Sequence, residues 1–212
     1  ISFKNDLMPT LSSMRECLIC NNIGKHFGLK FSLHLKVDTG MSRLGFESDK
    51  FIEEFEKIKS FQNISIEGIY SHLSSADEDN SLDPKSSTQL QRLKFRELLK
   101  QINVDSFHNI KIHLANSAGM LLNKDFHFDM VRVGLSMYGY SPLPKIDTNL
   151  SLKPALFLKV KVAFIRIIDQ GVRVSYGGKF VSSRKTKLAV LSIGYADGVP
   201  RNLSGKIKVI YE

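Results

Sequence analysis

The sequence lacks any apolar run near the roughly 20 residues a helix needs to cross a bilayer. Its opening residues, ISFKNDLMPT, also lack the basic-then-apolar layout of a secretory signal. No spanning helix and no exported chain are expected, and the cytoplasm is the expected compartment. Cysteine is scarce as well. Cys17 and Cys20 are the only two, too few for a disulfide framework. They form a C-x-x-C inside the helix-like stretch SSMRECLICNNIGKHFG, without a second pair or a histidine pair at zinc spacing, so no metal or redox site is expected there. Low-complexity segments and repeats of solenoid period are absent too.

What is present is enough apolar sequence, 42% of 212 residues, to bury a real core in one or two domains. The formal charge of +9 raises the question of nucleic acid. Lys and Arg are spread along the chain, however, with neither a basic block nor interleaved aromatics, so they read as solvated side chains and no nucleic-acid partner is expected.

From Leu7 to Tyr140, short apolar runs alternate with longer amphipathic ones. The runs are LMPTL, a helix over 13–27, FSLHLKV, a helix over 48–59, ISIEGIYSHL, a helix over 84–101, IKIHLAN, a short helix near 117–122, and DMVRVGLSMYG. This βαβα order predicts parallel strands joined by helical crossovers and buried on both faces. Ser48 and Asp83-Pro84 are the expected helix starts. After Tyr140 the texture changes. SPLPKIDTNLSLKP reads as a linker, and ALFLKVKVAFIRII, VRVSYGGKFV, TKLAVLSIGYA and KIKVIYE read as strands between glycine turns. The expected division is residues 1–146 and 147–212.

In a parallel barrel, chemistry collects at the carboxyl ends of the strands. Those positions here are Lys36 to Arg43, His72, Asn116-Ser117 and Arg132. Each has an ordinary reading. Asp38 suits a turn, His72 a satisfied structural histidine, and Asn116 or Ser117 a helix cap. Arg132 in an otherwise apolar strand is costly unless it pairs or contacts a ligand, and Gly134 beside it allows close backbone approach. Tyr176 and Tyr195 stand beside glycine turns, where tyrosine is common packing.

In this order, KVDTGMSRLGF, HLANSAG, VRVGLSMYG, VSYGGKF and GYADGVPR resemble the alanine racemase family, whose members depend on pyridoxal 5′-phosphate (PLP). The resemblance runs from about Leu7 to Glu212. It implies a partial (β/α)₈ TIM-type barrel, about strands four to eight, followed by part of an all-β domain. It also implies racemisation of L- and D-alanine, an isomerase activity supplying D-alanine for peptidoglycan of the cell wall. The expected setting is a cytoplasmic homodimer in a bacterium. A racemase for serine or another small amino acid shares these motifs, and a lysine-less, non-catalytic PLP-fold domain is the alternative outside catalysis.

Carried across by the matching motifs, Arg43 is expected near the phenolic oxygen of the cofactor and the substrate carboxylate. Lys36 is its neighbour and a candidate for carbamylation. Arg132 is expected to face the pyridine nitrogen, with His72 behind it. Ser117 and Asn116, with the backbone of Gly134 and Leu135, are expected around the phosphate. Tyr176 is the implied proton-transfer base, contributed to the site of the partner subunit. Tyr195, Asp77 and Arg201 are implied along the substrate entrance. Ser42 stands where the family motif usually has glycine. No motif of the type K-A-N-A-Y-G-H-G, which carries the Schiff-base lysine in the family, occurs in the sequence. About three strands and that lysine are expected upstream, and the rest of the β domain downstream. The segment alone is therefore expected to be inactive and, with open strand edges, to aggregate.

Overall fold

The computed structural model describes residues 5, 7–78, 80–107, 109–144 and 151–210. Contacts divide the chain into two units, Ile1–Ala155 and Leu156–Glu212. The boundary expected between residues 146 and 147 lies outside the described residues.

The first unit is a parallel α/β layer. Strands β1 (Thr10–Leu11), β2 (Phe31–Asp38), β4 (Ile64–Tyr70) and β5 (Lys111–His113) pair in parallel in that order, and β3 (Phe46–Glu47) pairs with β2. Helix α1 (Met14–Phe27) starts where the Ser13 hydroxyl accepts the Glu16 N–H, and it ends at Gly28, whose φ of 63° is left-handed. Helix α2 (Ser48–Lys59) turns Phe51, Phe55 and Ile58 inward at helical spacing. Helix α3 (Ser87–Gln101) begins three residues later than Pro84. The Ser86 hydroxyl caps it by accepting the Gln89 N–H, while Asp83 is spent on a preceding turn. Asn116 caps the short α4 (Ser117–Leu122).

Strand periodicity decides which side chains form the core. On β2, Leu33, Leu35 and Val37 are fully buried. With Ile69 of β4 and Ile112 of β5 they join Phe51, Phe55 and Phe95 in one apolar cluster. Each such side chain contributes about 1.5–3 kcal/mol by leaving water. The alternate β2 positions are His34, Lys36 and Asp38, so the other sheet face is polar. Barrel interiors are usually filled by branched apolar residues. A bulge between Leu33 and His34 sets Gly68 opposite His34. A Cβ on Gly68 would lie 2.6–2.8 Å from the His34 ring, so the glycine is what admits that imidazole.

The run from Asp129 to Gly139 is not the strand expected. It keeps a single parallel bridge, Met130 to His113, then leaves the strand conformation at Gly134 and forms a 3₁₀ turn over Leu135–Tyr138. LMPTL shortens to β1, and residues 206–210 of KIKVIYE form no strand.

The second unit pairs β6 (Val162–Ile168) antiparallel with β9 (Thr186–Leu191), and β7 (Arg173–Val174) with β8 (Phe180–Val181). Tyr176 and Tyr195 each open a short 3₁₀ turn. Among the described residues no helix is long and apolar enough to cross a membrane.

Candidate active site

The centre of the first unit's polar face is Arg132, brought past the ends of β4 and β5 by the bond from its backbone N–H to Ala115 O. Its Nη1 donates to His113 Nδ1 at 2.5 Å, and its Nη2 reaches Ser71 O (2.8 Å), His72 Nδ1 (3.1 Å) and Leu114 O (3.2 Å). The guanidinium also lies 4.7 Å from the Tyr70 ring centre, and that ring stacks on His113. Among the described residues every partner is neutral. A half-buried guanidinium held without a carboxylate keeps its full positive field for whatever it faces.

That field governs its neighbours. Burial, then the charges of Arg132, Lys36 and Arg43, push the His72 imidazole down to about 4. Burial, then Arg132 and His34, push His113 down to about 3. Both rings are neutral near pH 7. Lys36 is almost fully buried; burial first and the Arg43 charge next lower its pKa, outweighing the opposing pull of Asp38. Burial raises the carboxyl pKa of Asp38, but its Oδ1 accepts the N–H groups of Gly40, Met41 and Ser42 at 2.8, 2.9 and 3.1 Å. Those bonds and Lys36 outweigh burial and hold the carboxyl below its ordinary range. Asp38 therefore builds the loop that presents exposed Arg43, the ordinary reading of that acid. Ser42 in this loop takes a φ of +54°, a conformation suited to glycine.

The segment that follows Arg132 joins α4 in a cluster of hydroxyl and amide groups. Ser117 Oγ accepts the N–H groups of Gly134 (2.8 Å) and Ser136 (3.3 Å). The Ser136 hydroxyl is buried with no hydrogen-bond partner among the described residues, and such an orphan costs about 1–3 kcal/mol unless something binds it. Asn116 is committed to local structure: its Oδ1 accepts the Gly119 N–H and its Nδ2 donates to Leu73 O.

Lys36, Arg43, His72 and Arg132 thus come within electrostatic reach of one another, while Ser117 bonds the Gly134 and Ser136 backbone that flanks Leu135 in the segment after Arg132, and Asn116 caps the helix that carries Ser117. Asp77 is exposed in the loop after β4 with no bond to this group. Tyr176, Tyr195 and Arg201 belong to the second unit. There Tyr176 is 83% exposed and the Arg201 guanidinium lies 5.9 Å over the Tyr195 ring. Sequence reasoning missed His34, His113, Tyr70 and Ser136. The signal for His34 was present, since positions 34, 36 and 38 alternate on one strand face. Among the described residues no group of three or more His, Cys, Asp or Glu side chains is placed to hold a metal. Cys17, pushed up to about 12 by burial and then by Cys20, Glu16 and Glu54, is an unreactive core thiol.

The family model described as "Alanine racemase, N-terminal domain" matches residues 1–142, and "Alanine racemase, C-terminal domain" matches 155–212. A curated alanine racemase of Prochlorococcus marinus is 47% identical over 207 residues, covering 98% of this chain and 53% of that protein. The crystal structure of alanine racemase from D-cycloserine-producing Streptomyces lavendulae superposes with a TM-score of 0.82 at 30% identity, over 97% of this chain and 54% of that one. That of Bartonella henselae alanine racemase with covalently bound pyridoxal phosphate gives 0.74 at 33% identity, over 95% and 53%. By these matches the chain carries part of a TIM-type barrel followed by part of an all-β domain. The chain spans about half the length of the curated relatives it matches. On the strength of both domain matches, the chain belongs to the alanine racemase family.

Proposed function

We propose that this chain is part of a PLP-dependent alanine racemase, a cytoplasmic homodimer that supplies D-alanine for cell-wall peptidoglycan. The observation that carries the reading is Arg132: a half-buried fork with only neutral partners among the described residues, with the orphaned Ser136 hydroxyl four positions further along the chain. Such a donor set fits a ligand with a basic ring nitrogen at one end and an anionic oxygen group at the other. A carboxylate facing the ring would instead suit a protonated nitrogen.

When bound, PLP supplies an electron sink that acidifies the α-proton of an amino acid. Arg132 holds the pyridine nitrogen in its unprotonated form, because a guanidinium donates hydrogen bonds without giving up its proton. His72 and His113, kept neutral, accept from Arg132 and fix its plane. Ser117, whose hydroxyl hydrogen is still free to donate, and the Leu135 N–H would hold the phosphate, with Asn116 supporting them through its cap of α4 and Gly134 through its bond to Ser117 Oγ. Arg43 orients the substrate carboxylate and the phenolic oxygen, and Lys36, whether as a lowered-pKa amine or carbamylated, steadies Arg43. Tyr176 Oη takes or returns the α-proton on one face, in the site of the partner subunit. Tyr195, Asp77 and Arg201 are the residues we assign to the substrate entrance, as the family resemblance implies. The opposite face calls for the Schiff-base lysine, whose motif is not among these 212 residues.

The test is to express the full coding sequence that contains this chain, load it with PLP and follow L-to-D conversion of alanine and of serine. Alanine is expected to be converted with the higher kcat/KM. No conversion of either would refute the reading, and a preference for serine would correct the substrate.

A further inference from the structure

Behind the arginine a hydrogen-bond chain runs one residue deeper than the proposed function uses. His34 Nδ1 lies 3.0 Å from His113 Nε2, the nitrogen of His113 that does not face Arg132. The polarity of every link is set by chemistry. Arginine only donates, so His113 Nδ1 must be a bare acceptor for Arg132 Nη1. A neutral imidazole then carries its hydrogen on Nε2 and donates it to His34 Nδ1, and a neutral His34 carries its own hydrogen on Nε2.

The remaining partners of Arg132, namely Ser71 O, His72 Nδ1 and Leu114 O, all bind Nη2. His113 is the one described partner of Nη1. Its ring is clamped by the stacked Tyr70, 4.6 Å away and 12° from parallel, so its tautomer rather than its position is the variable. In the other tautomer an N–H would point at the guanidinium and turn Nη1 away. The space for His34 is itself built in, since Gly68 is the residue that clears its ring. Among the described residues, Tyr70 and Glu67 of β4 and Arg132 face His34 besides His113.

We propose that His34, which does not touch Arg132, sets the tautomer of His113 and through it the aim of Arg132: it is a positioning residue for the pyridine nitrogen. The proposal rests on the function proposed above. His34→Leu removes the acceptor while still filling the space with a side chain of comparable bulk. His34→Asn restores it, because an Asn Oδ1 stands where the imidazole Nδ1 stood.

The experiment uses the full-length holoenzyme with ¹⁵N-labelled histidine, reading the imidazole nitrogens of His113 alongside alanine racemisation, the PLP absorption spectrum and thermal unfolding. Wild type is expected to show His113 protonated on Nε2 at pH 7.5. In His34→Leu that tautomer becomes mixed, the PLP spectrum shifts, and kcat falls about tenfold, the lower edge for losing a partner that orients an imidazole ligand. KM for alanine is expected to change less than about threefold, because Arg132 meets the ring nitrogen and not the substrate. His34→Asn returns the tautomer and most of kcat.

An Nδ1-protonated or cationic His113 in wild type overturns the proposal without any variant, so poor folding of His34→Leu leaves it decidable. Equal loss in the Leu and Asn variants, tracking unfolding temperature, also overturns it by reducing His34 to packing. A wild-type protein that binds PLP but racemises nothing overturns the proposed function instead, and the tautomer measurement still stands.

Discussion

Arg132→Lys separates the shape of the arginine from its charge. The guanidinium serves four acceptors from two nitrogens. A lysine ammonium gathers its three donors on one atom and cannot span from His113 to Leu114 and Ser71. At least two acceptors lose their donor, and Ser71, His113 and Leu114 are each buried. At about 1–3 kcal/mol for each unsatisfied group, the loss is about 2–6 kcal/mol. Arg132 itself is half-buried, so water can reach part of the gap and the expected value is about 2–3 kcal/mol. Urea denaturation of the full-length protein at pH 7.5, comparing midpoints at unchanged slope, measures it. A loss below about 0.5 kcal/mol would show that charge alone matters and that the fork carries no structural role.

Ser42→Gly should stabilise the protein by about 0.5–1 kcal/mol, because relief of the left-handed residue (about 1–2 kcal/mol) exceeds the added freedom of unfolded glycine (about 0.5–1 kcal/mol); a lower unfolding midpoint would refute the strain. Gly45→Ala should cost about 2–4 kcal/mol, since its Cβ would meet Asp38 N at 2.7 Å with φ at +132°; an unchanged melting temperature would refute it. Stability should fall as pH drops below about 6.5, the ordinary histidine value. His113 and His72 protonate at about 3 and 4 in the folded state, so the unfolded chain binds more protons in that window. A pH titration of the urea midpoint that stays flat from 7 to 4.5 would contradict neutral buried histidines.

How much of this was legible in sequence depends on whether a residue's role is local. The ends of β2, α1 and α2 follow from alternation, Ser13 and Gly28, all readable along a few residues. The family motifs marked Lys36, Ser117 and Arg132, and a strand end marked His72; the first unit brings Lys36, His72 and Arg132 within electrostatic reach of one another. Asp129–Gly139 misled because its apolar alternation matches a strand, while pairing stops after Met130 and Gly134 turns the backbone aside. His113 and His34 were hidden because their meaning lies in a contact between residues 79 apart, and a histidine inside a strand has the same letter whether it is packing or polar wiring. Pro84 suggested a helix start that the Ser86 hydroxyl moved, since an actual cap bond outweighs a first-turn preference.

Under the proposed function, a protein holding this chain would move the α-proton of alanine by way of Tyr176 while Arg132 would keep the cofactor nitrogen unprotonated. Racemisation of L-alanine in D₂O by the full-length, PLP-loaded protein, followed by NMR of the Cα position and chiral analysis, tests it most directly. The account predicts D-alanine carrying solvent deuterium at Cα, with the rate falling about 100-fold or more in Tyr176→Phe, the usual scale for losing a general base. Alanine that keeps both its configuration and its α-hydrogen, or a Tyr176→Phe variant as fast as wild type, would contradict it.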